Sequence, residues 1–383
     1  MIRSVADLCH PHDPALIEAA MLELRRVHLS TDRAAAFARL LPWDVFNMLP
    51  SRAMLLESEL RVIQRGRDAW FDLLVPRTRV DVERKLSARA LHDLCEQGMS
   101  MVLNRVGRHV PRVAALNAMI ERHFRASTDV NCYASFRRES AFPPHFDPHD
   151  VLVLQIHGSK RWFCHGQPHR FPLDRQRFPV GDDPGPVEAE ILMRPGDLLY
   201  LPRGEVHWAE TVGEASMHLT VRIQPPRPSD LLPWLAAIAE REEAGREDIN
   251  ALAGDEARAA RTERLQAVLR ALADGLDLNR FAAEIDRDTG PMRPINLGHM
   301  QELRPGTLVT PSLRRRVPLD GPRVAIGGKP VQLGPDERAV LAELLARDSA
   351  TIAELEKALP QTATGDAVAG LARKSLVFLF ADD

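Results

Sequence analysis

His145 and Asp147 stand two residues apart in the proline-bounded stretch Ala141-Phe142-Pro143-Pro144-His145-Phe146-Asp147-Pro148-His149-Asp150. On an extended segment residues i and i+2 share a face, so this imidazole and carboxylate can reach one ion. His207 offers a third ligand. It closes the run Arg194-Pro195-Gly196-Asp197-Leu198-Leu199-Tyr200-Leu201-Pro202-Arg203-Gly204-Glu205-Val206-His207, where a turn, a strand and a second turn deliver an imidazole at a strand start. Two histidines and one carboxylate on one face of a single iron leave positions open for a cosubstrate and O2, the arrangement of non-haem Fe(II) oxygenases. The same HxD spacing also serves surface turns in which the Asp caps a backbone amide. His149 and Asp150 compete as ligands, but Pro148 breaks the strand and turns His149 toward solvent or to a place beside the ligands. His165 and His169 fall in a loop-like stretch and read as surface residues.

The elements that must position these side chains are legible around them. From Pro14 to about Phe124 the pattern is mostly helical, as in Ala88 to Gln97 and Pro111 to Phe124, with Gly98 as a helix stop and Met101-Val102-Leu103 as a short strand. Between Asp129 and Gln224 short β-prone runs separated by Pro, Gly and Asp suit a sandwich or barrel. Strands are expected at Asn131–Phe136, Val151–His157, Lys160–His165, Leu198–Leu201 and Ser216–Ile223, with Gly158-Ser159 as a tight hairpin turn. Pro225-Pro226-Arg227-Pro228 marks a linker. Residues 230 to about 288 return to helix, with Leu265, Val268, Leu269 and Leu272 as an apolar stripe that buries against a neighbour or a second subunit. Last come a hairpin at Val324–Leu333 around Gly327-Gly328, helices at about Pro335–Ala346, Ile352–Leu359 and Asp366–Lys374, and a strand Leu376–Phe380. Thr351 with Glu354 makes a capping box. The expected fold class is mixed α and β. Four regions follow: a mostly helical 1–128, a barrel over 129–224, a helical 229–290 and a winged-helix-like module over 315–383.

Composition narrows the function classes. The 383 residues exceed a typical single domain. Fifty Lys+Arg against 53 Asp+Glu give a formal charge of -3, with no electrostatic footprint for nucleic acid and no basic face for a membrane. Cys9, Cys95, Cys132 and Cys164 form no CxxC pair, which fits a reducing compartment better than a disulfide framework. The opening residues lack the order of a signal peptide, and no apolar run is long enough to span a bilayer, so the expectation is a cytoplasmic protein.

The chain resembles the JmjC-type, cupin-fold 2-oxoglutarate oxygenases, and within them the branch of ribosomal-protein hydroxylases with a barrel, a helical dimerisation region and a C-terminal winged helix. The residues that carry the likeness are His145-x-Asp147, Asp150 through Gly158-Ser159-Lys160-Arg161-Trp162, Pro195-Gly196-Asp197 through Leu201-Pro202 to His207, and Ser216-Met217-His218-Leu219-Thr220-Val221. It extends over about residues 40 to 383 and is strongest from 130 to 223. The resemblance implies a double-stranded β-helix core and Fe(II) held by His145, Asp147 and His207. It further implies 2-oxoglutarate whose distal carboxylate meets Lys160 and Thr220, with Asn131 and Tyr133 lining the cosubstrate and substrate pocket. A dianionic keto acid chelated at one end needs a cation or hydroxyl at the other. Trp162 and Trp208 read as pocket walls or core. Arg222, next on the Thr220 face, either assists anion binding or pairs with a carboxylate. The implied reaction couples O2 and oxidation of 2-oxoglutarate to succinate and CO2 to hydroxylation of a protein side chain, in a homodimer.

The terminal module leaves the substrate open between a ribosomal protein and a ribosomally made precursor peptide laid along the hairpin as an added strand. Two other activities compete: lysine demethylation by the same oxidant, and a non-enzymatic cupin that uses a winged helix to bind DNA. Near-neutral charge argues against the latter, because the small run Arg314-Arg315-Arg316 reads as a solvated face.

Overall fold

The computed structural model describes residues 1–51, 58–69, 86–176, 183–248 and 254–381. Its centre is a nine-stranded, wholly antiparallel sheet. The strands are β1 (Val27–Ser30), β2 (Leu60–Gln64), β3 (Arg67–Asp68), β4 (Ser100–Leu103), β5 (Ser127–Ser135), β6 (Asp150–Cys164), β7 (Ala189–Met193), β8 (Asp197–Leu201) and β9 (His207–Gln224). They run in the order β1-β8-β6-β9-β5-β4-β2-β3, with β7 also on β6.

Two features depart from the sequence reading. The sheet starts well before residue 129: β1 to β3 lie in the stretch read as mostly helical, β4 is the short strand expected at Met101–Leu103, and the part of that stretch over residues 70–85 falls outside the described residues. Short runs such as Val27–Ser30 take their conformation from pairing with β8, a partner about 170 positions away that local periodicity does not register. The second departure is at Gly158-Ser159, which forms no hairpin. β6 continues through it, with register shifts against β9 between Gln155 and Ser159. Gly158 adopts φ +57°, and a Cβ there would lie 2.2 Å from the Ala215 carbonyl oxygen. Gln155 Nε2 donates to the His157 and Gly158 carbonyls at 2.8 and 3.0 Å, satisfying groups the bulge removes from the ladder. The first half of β6 thus pairs with β8 and the second half with β7.

One face of the sheet is covered by the N-terminal segment: Leu8, Ile17, Phe37, Leu40 and Phe46 pack with Leu152, Leu154, Leu219 and Val221. Val151, Val153, Trp162, Met193, Leu199 and Leu201 form a second cluster, and two of its members, Val151 and Trp162, reach the central cavity. The four cysteines are buried and free.

The C-terminal region holds a three-stranded sheet in which β10 (Leu308–Pro311) lies between β13 (Ala350–Thr351) and β14 (Val377–Phe380), together with the hairpin β11 (Arg323–Ile326) and β12 (Lys329–Gln332). Helices Pro335–Arg347, Ile352–Ala358 and Thr364–Arg373 complete its core. Thr351 and Glu354 form the expected capping box. Of the run Arg314-Arg315-Arg316 only Arg316 is exposed. Arg315 is buried, and it and Arg314 meet the fully buried Glu121 of helix Pro111–Phe124 at 2.8 and 2.9 Å, while Arg122 meets Asp348 at 2.9 Å. Arginines read as surface because of their type are here the ionic joint between the C-terminal region and the barrel. No helix among the described residues is long and apolar enough to cross a membrane.

Candidate functional site

The stretch 136–149 between β5 and β6 carries His145 and Asp147 in a loop rather than a strand. His145 alone makes a bridge to β9, exchanging backbone bonds with His207 at 3.1 and 2.8 Å. The turn Pro202–Val206 delivers His207, and its Gly204 N–H donates to the Asp147 carbonyl at 2.9 Å. Ligand atoms of His145, Asp147 and His207 then all lie within 4.8 Å of one another, with His207 Nε2 3.9 Å from Asp147 Oδ2. Each histidine donates from Nδ1 to a backbone carbonyl, His145 to Pro143 and His207 to Glu205, both at 2.9 Å. Those bonds fix the tautomer that leaves a lone pair on Nε2, which is how protein groups orient an imidazole for a metal. Burial, with His145 nearby, pushes His207 down to about 4, so it is a neutral ligand at pH 7. A divalent cation fits this donor set.

The three residues form part of the wall of a cavity of about 730 Å³ that is also lined by Asn131, Tyr133, Lys160, Trp162, Trp208, His218, Thr220 and Arg222. Lys160 is buried, and its Nζ donates to Ser135 Oγ at 3.0 Å; Ser135 in turn shares a 2.8 Å bond with Ser100. Burial lowers the Lys160 ammonium to about 7. Lys160 stands opposite Thr211, and Ser135 opposite Ser216. The buried Thr211 Oγ1, Ser216 Oγ, Trp162 Nε1 and His218 Nδ1 have no hydrogen-bond partner. A buried lysine with an unpartnered hydroxyl opposite it, Thr211, and another opposite its own partner, Ser216 facing Ser135, is an environment a carboxylate satisfies.

Tyr133 stacks flat on His218, rings 4.9 Å apart and 2° from parallel, and burial raises its phenol to about 12. Burial and then Lys160 hold His218 well below its ordinary value, so it too is neutral. Asn131 accepts from the Arg105 backbone N–H at 3.0 Å. Thr220 lies opposite Asn131, four positions along the strand from the Ser135–Ser216 pair, or ~13 Å. It therefore borders a polar side pocket with Asp129, His149 and Arg222 instead of sharing the Lys160 end. The hydroxyl at Lys160 is that of Ser135, which one-strand patterning missed because only the β5–β9 register and the β6 bulge bring it there. His165, read as a surface residue, is half-buried: its Nδ1 donates to the Gly185 carbonyl at 2.9 Å and its Nε2 accepts from Trp208 Nε1 at 3.2 Å. His169 is exposed, and His149 lines the cavity without joining the three-residue cluster.

The model of the JmjC domain matches residues 105–231, the segment that holds the three clustered residues, Lys160 and most of the cavity wall. Residues 105–231 are a JmjC domain. Curated proteins similar to it include the bifunctional lysine-specific demethylase and histidyl-hydroxylase NO66 of Aedes aegypti, 32% identical over 133 residues, 33% of this chain and 21% of that protein. Ribosomal oxygenase 2 of Rattus norvegicus is 36% identical over 105 residues, 27% of this chain and 22% of that protein. The chain spans about a fifth of the length of these relatives. Over almost the whole chain the fold is that of the ribosomal oxygenase YcfD of Escherichia coli. One YcfD structure gives a TM-score of 0.55 at 20% identity, covering 95% of this chain and 98% of that one. Another, in complex with cobalt and 2-oxoglutarate, gives 0.53 at 19%, covering 93% and 95%. The jelly-roll core expected for the JmjC domain is thus the fold observed.

Proposed function

We propose that this protein is an Fe(II)- and 2-oxoglutarate-dependent oxygenase that hydroxylates a side chain of a protein or peptide. The observation that carries the reading is one cavity with two complementary ends: a His-Asp-His cluster on its wall and the buried Lys160 with unpartnered hydroxyls at Thr211 and Ser216. In this reading His145 Nε2, His207 Nε2 and the Asp147 carboxylate hold the metal. Lys160, with Ser135 and the adjacent Thr211 and Ser216 hydroxyls, takes the distal carboxylate of the cosubstrate. Asn131 and Tyr133 line the cosubstrate and substrate side, and Thr220 borders the side pocket. Trp162 and Trp208 wall the cavity against water. When bound, iron with 2-oxoglutarate and O2 supplies oxidative decarboxylation to succinate and CO2 and transfer of one oxygen atom to a substrate C–H bond. The protein's own share is orientation, a neutral His207 and a buried lysine that the incoming carboxylate holds in its charged form.

A polypeptide substrate is favoured by the similarity to ribosomal oxygenases and by the C-terminal region, which adds a hairpin and a three-helix module beside the JmjC domain. The helices Pro228–Ala239 and Asp255–Asp274 bury no residue of their own, and Leu232 and Leu269 are exposed. We assign them to a homodimer contact. Light scattering that gives a monomer at micromolar concentration contradicts that assignment.

The test of the activity is conversion of 2-oxoglutarate to succinate by the Fe(II)-loaded protein, abolished in His145→Ala and Asp147→Ala. An iron-loaded protein that neither binds nor turns over 2-oxoglutarate, with candidate ribosomal peptides present, overturns it. Mass spectrometry of the peptide product separates hydroxylation, a gain of one oxygen, from lysine demethylation, a loss of methyl.

A further inference from the structure

The N-terminal segment lies outside the matched domain, yet it reaches the turn that frames two of the three clustered residues. Arg26, which leads into β1, places Nη1 2.6 Å from Glu205 Oε1 and 3.1 Å from Glu188 Oε2, with Nη2 3.2 Å from the same Glu188 oxygen. Glu205 is buried and sits in the turn Pro202–Val206. Its carbonyl is the acceptor that fixes the His207 imidazole, and its neighbour Gly204 donates to the Asp147 carbonyl. The turn has no slack. Gly204, at φ +83°, leaves no room for a Cβ, which would lie 1.8 Å from the His169 carbonyl oxygen, and Gly166, at φ +88°, faces Glu188 so closely that a Cβ would meet Oε1 at 2.4 Å. Pairing of β1 with β8 brings Arg26 beside the end of the strand that runs into this turn.

We propose that Arg26 is a positioning residue for the metal site, acting through Glu205. A carboxylate buried in this way stays in place only with a cation against it. Without Arg26, Glu205 turns toward water, the turn re-forms around it, and the carbonyl that orients His207 moves with the Asp147 contact. One guanidinium thus ties the N-terminal segment, the ligand-bearing turn and Glu188 at the entry to β7 together. The inference rests on the metal-site reading of the proposed function.

The test is Co(II) binding by calorimetry and the visible Co(II) spectrum, with thermal unfolding recorded alongside. Arg26→Ala is expected to weaken Co(II) binding roughly 10- to 100-fold, the usual cost of losing a group that orients a ligand, and to shift the spectrum. Arg26→Lys, which keeps a cation on Glu205, is expected to stay within about threefold of wild type. In a Glu205→Gln background the further loss of Arg26 is expected to cost less than about threefold, because no buried charge remains to be stranded. A folded Arg26→Ala with wild-type affinity and spectrum overturns the inference, and so does an equal cost in both backgrounds. Should Arg26→Ala fail to fold, Arg26→Gln, which keeps much of the side chain and a hydrogen-bond donor but no charge, decides on the same readout, and unchanged affinity there overturns the inference. A wild-type protein that binds no Co(II) removes the proposed function itself, whereas wild-type binding that is insensitive to Arg26 removes only this inference.

Discussion

Lys160 makes the cosubstrate end of the cavity pH-sensitive in a direction that the structure fixes. Burial holds its ammonium at about 7, far below an exposed lysine. At pH 8 only about a tenth of the unliganded protein carries the charge, and at pH 9 about a hundredth. If a dicarboxylate binds the charged form, apparent affinity falls with the competent fraction: about twofold at pH 7 against the acid limit, roughly tenfold at pH 8 and roughly a hundredfold at pH 9. Bound 2-oxoglutarate raises the lysine again by placing an anion beside it, so binding at pH 8 takes up about 0.9 proton. The assay is calorimetric titration of the Mn(II)-loaded protein with 2-oxoglutarate at pH 7, 8 and 9, in buffers of different ionisation enthalpy. Lys160→Arg, charged throughout, is expected to bind without this slope. Affinity that stays flat from pH 7 to 9 in wild type, or binding without proton uptake at pH 8, refutes the reasoning.

The same lowered lysine predicts a stability profile. The unfolded chain binds the Lys160 proton more tightly than the folded one, so the Lys160 contribution to unliganded stability rises from about pH 7 toward the ordinary lysine range, and thermal scans across that window check it. Lys160→Met is expected to stabilise the unliganded protein at pH 7 by ~1 kcal/mol or more while abolishing 2-oxoglutarate binding, readable as a higher Tm with no ligand-induced shift. Gly158→Ala forces a side chain into φ +57° against the Ala215 carbonyl and is expected to cost about 1–3 kcal/mol in denaturant unfolding. Glu121→Ala strands the buried Arg315 and its neighbour Arg314 and is expected to cost about 3–5 kcal/mol by the same measurement.

What the sequence could convey divides by the range of the interaction involved. The capping box at Thr351, the β11–β12 hairpin around Gly327-Gly328 and the helix Pro111–Phe124 are written in neighbouring residues, and the structure has them at those positions. The i, i+2 spacing of His145 and Asp147 was legible, although their common face comes from an extended loop pinned by a single bridge to His207. Strand β1, the Ser135 contact to Lys160, the displacement of Thr220 from that end and the Arg26–Glu205 pair depend on pairing between distant segments. The β6 bulge matters most: by continuing the strand where a Gly-Ser pair reads as a turn, it sets which β9 residues face Lys160. Charge type misled at Arg314 and Arg315, because a buried glutamate from another element makes interior partners of residues that local sequence places in solvent.

The most direct test of the oxygenase reading follows the oxygen atoms. Under 18O2, with Fe(II), 2-oxoglutarate and ribosomal-protein peptides, the wild-type protein is expected to place one labelled atom in succinate and one in a peptide side chain, and Asp147→Ala neither. Iron-loaded wild-type protein that yields unlabelled succinate, or none, would contradict the account.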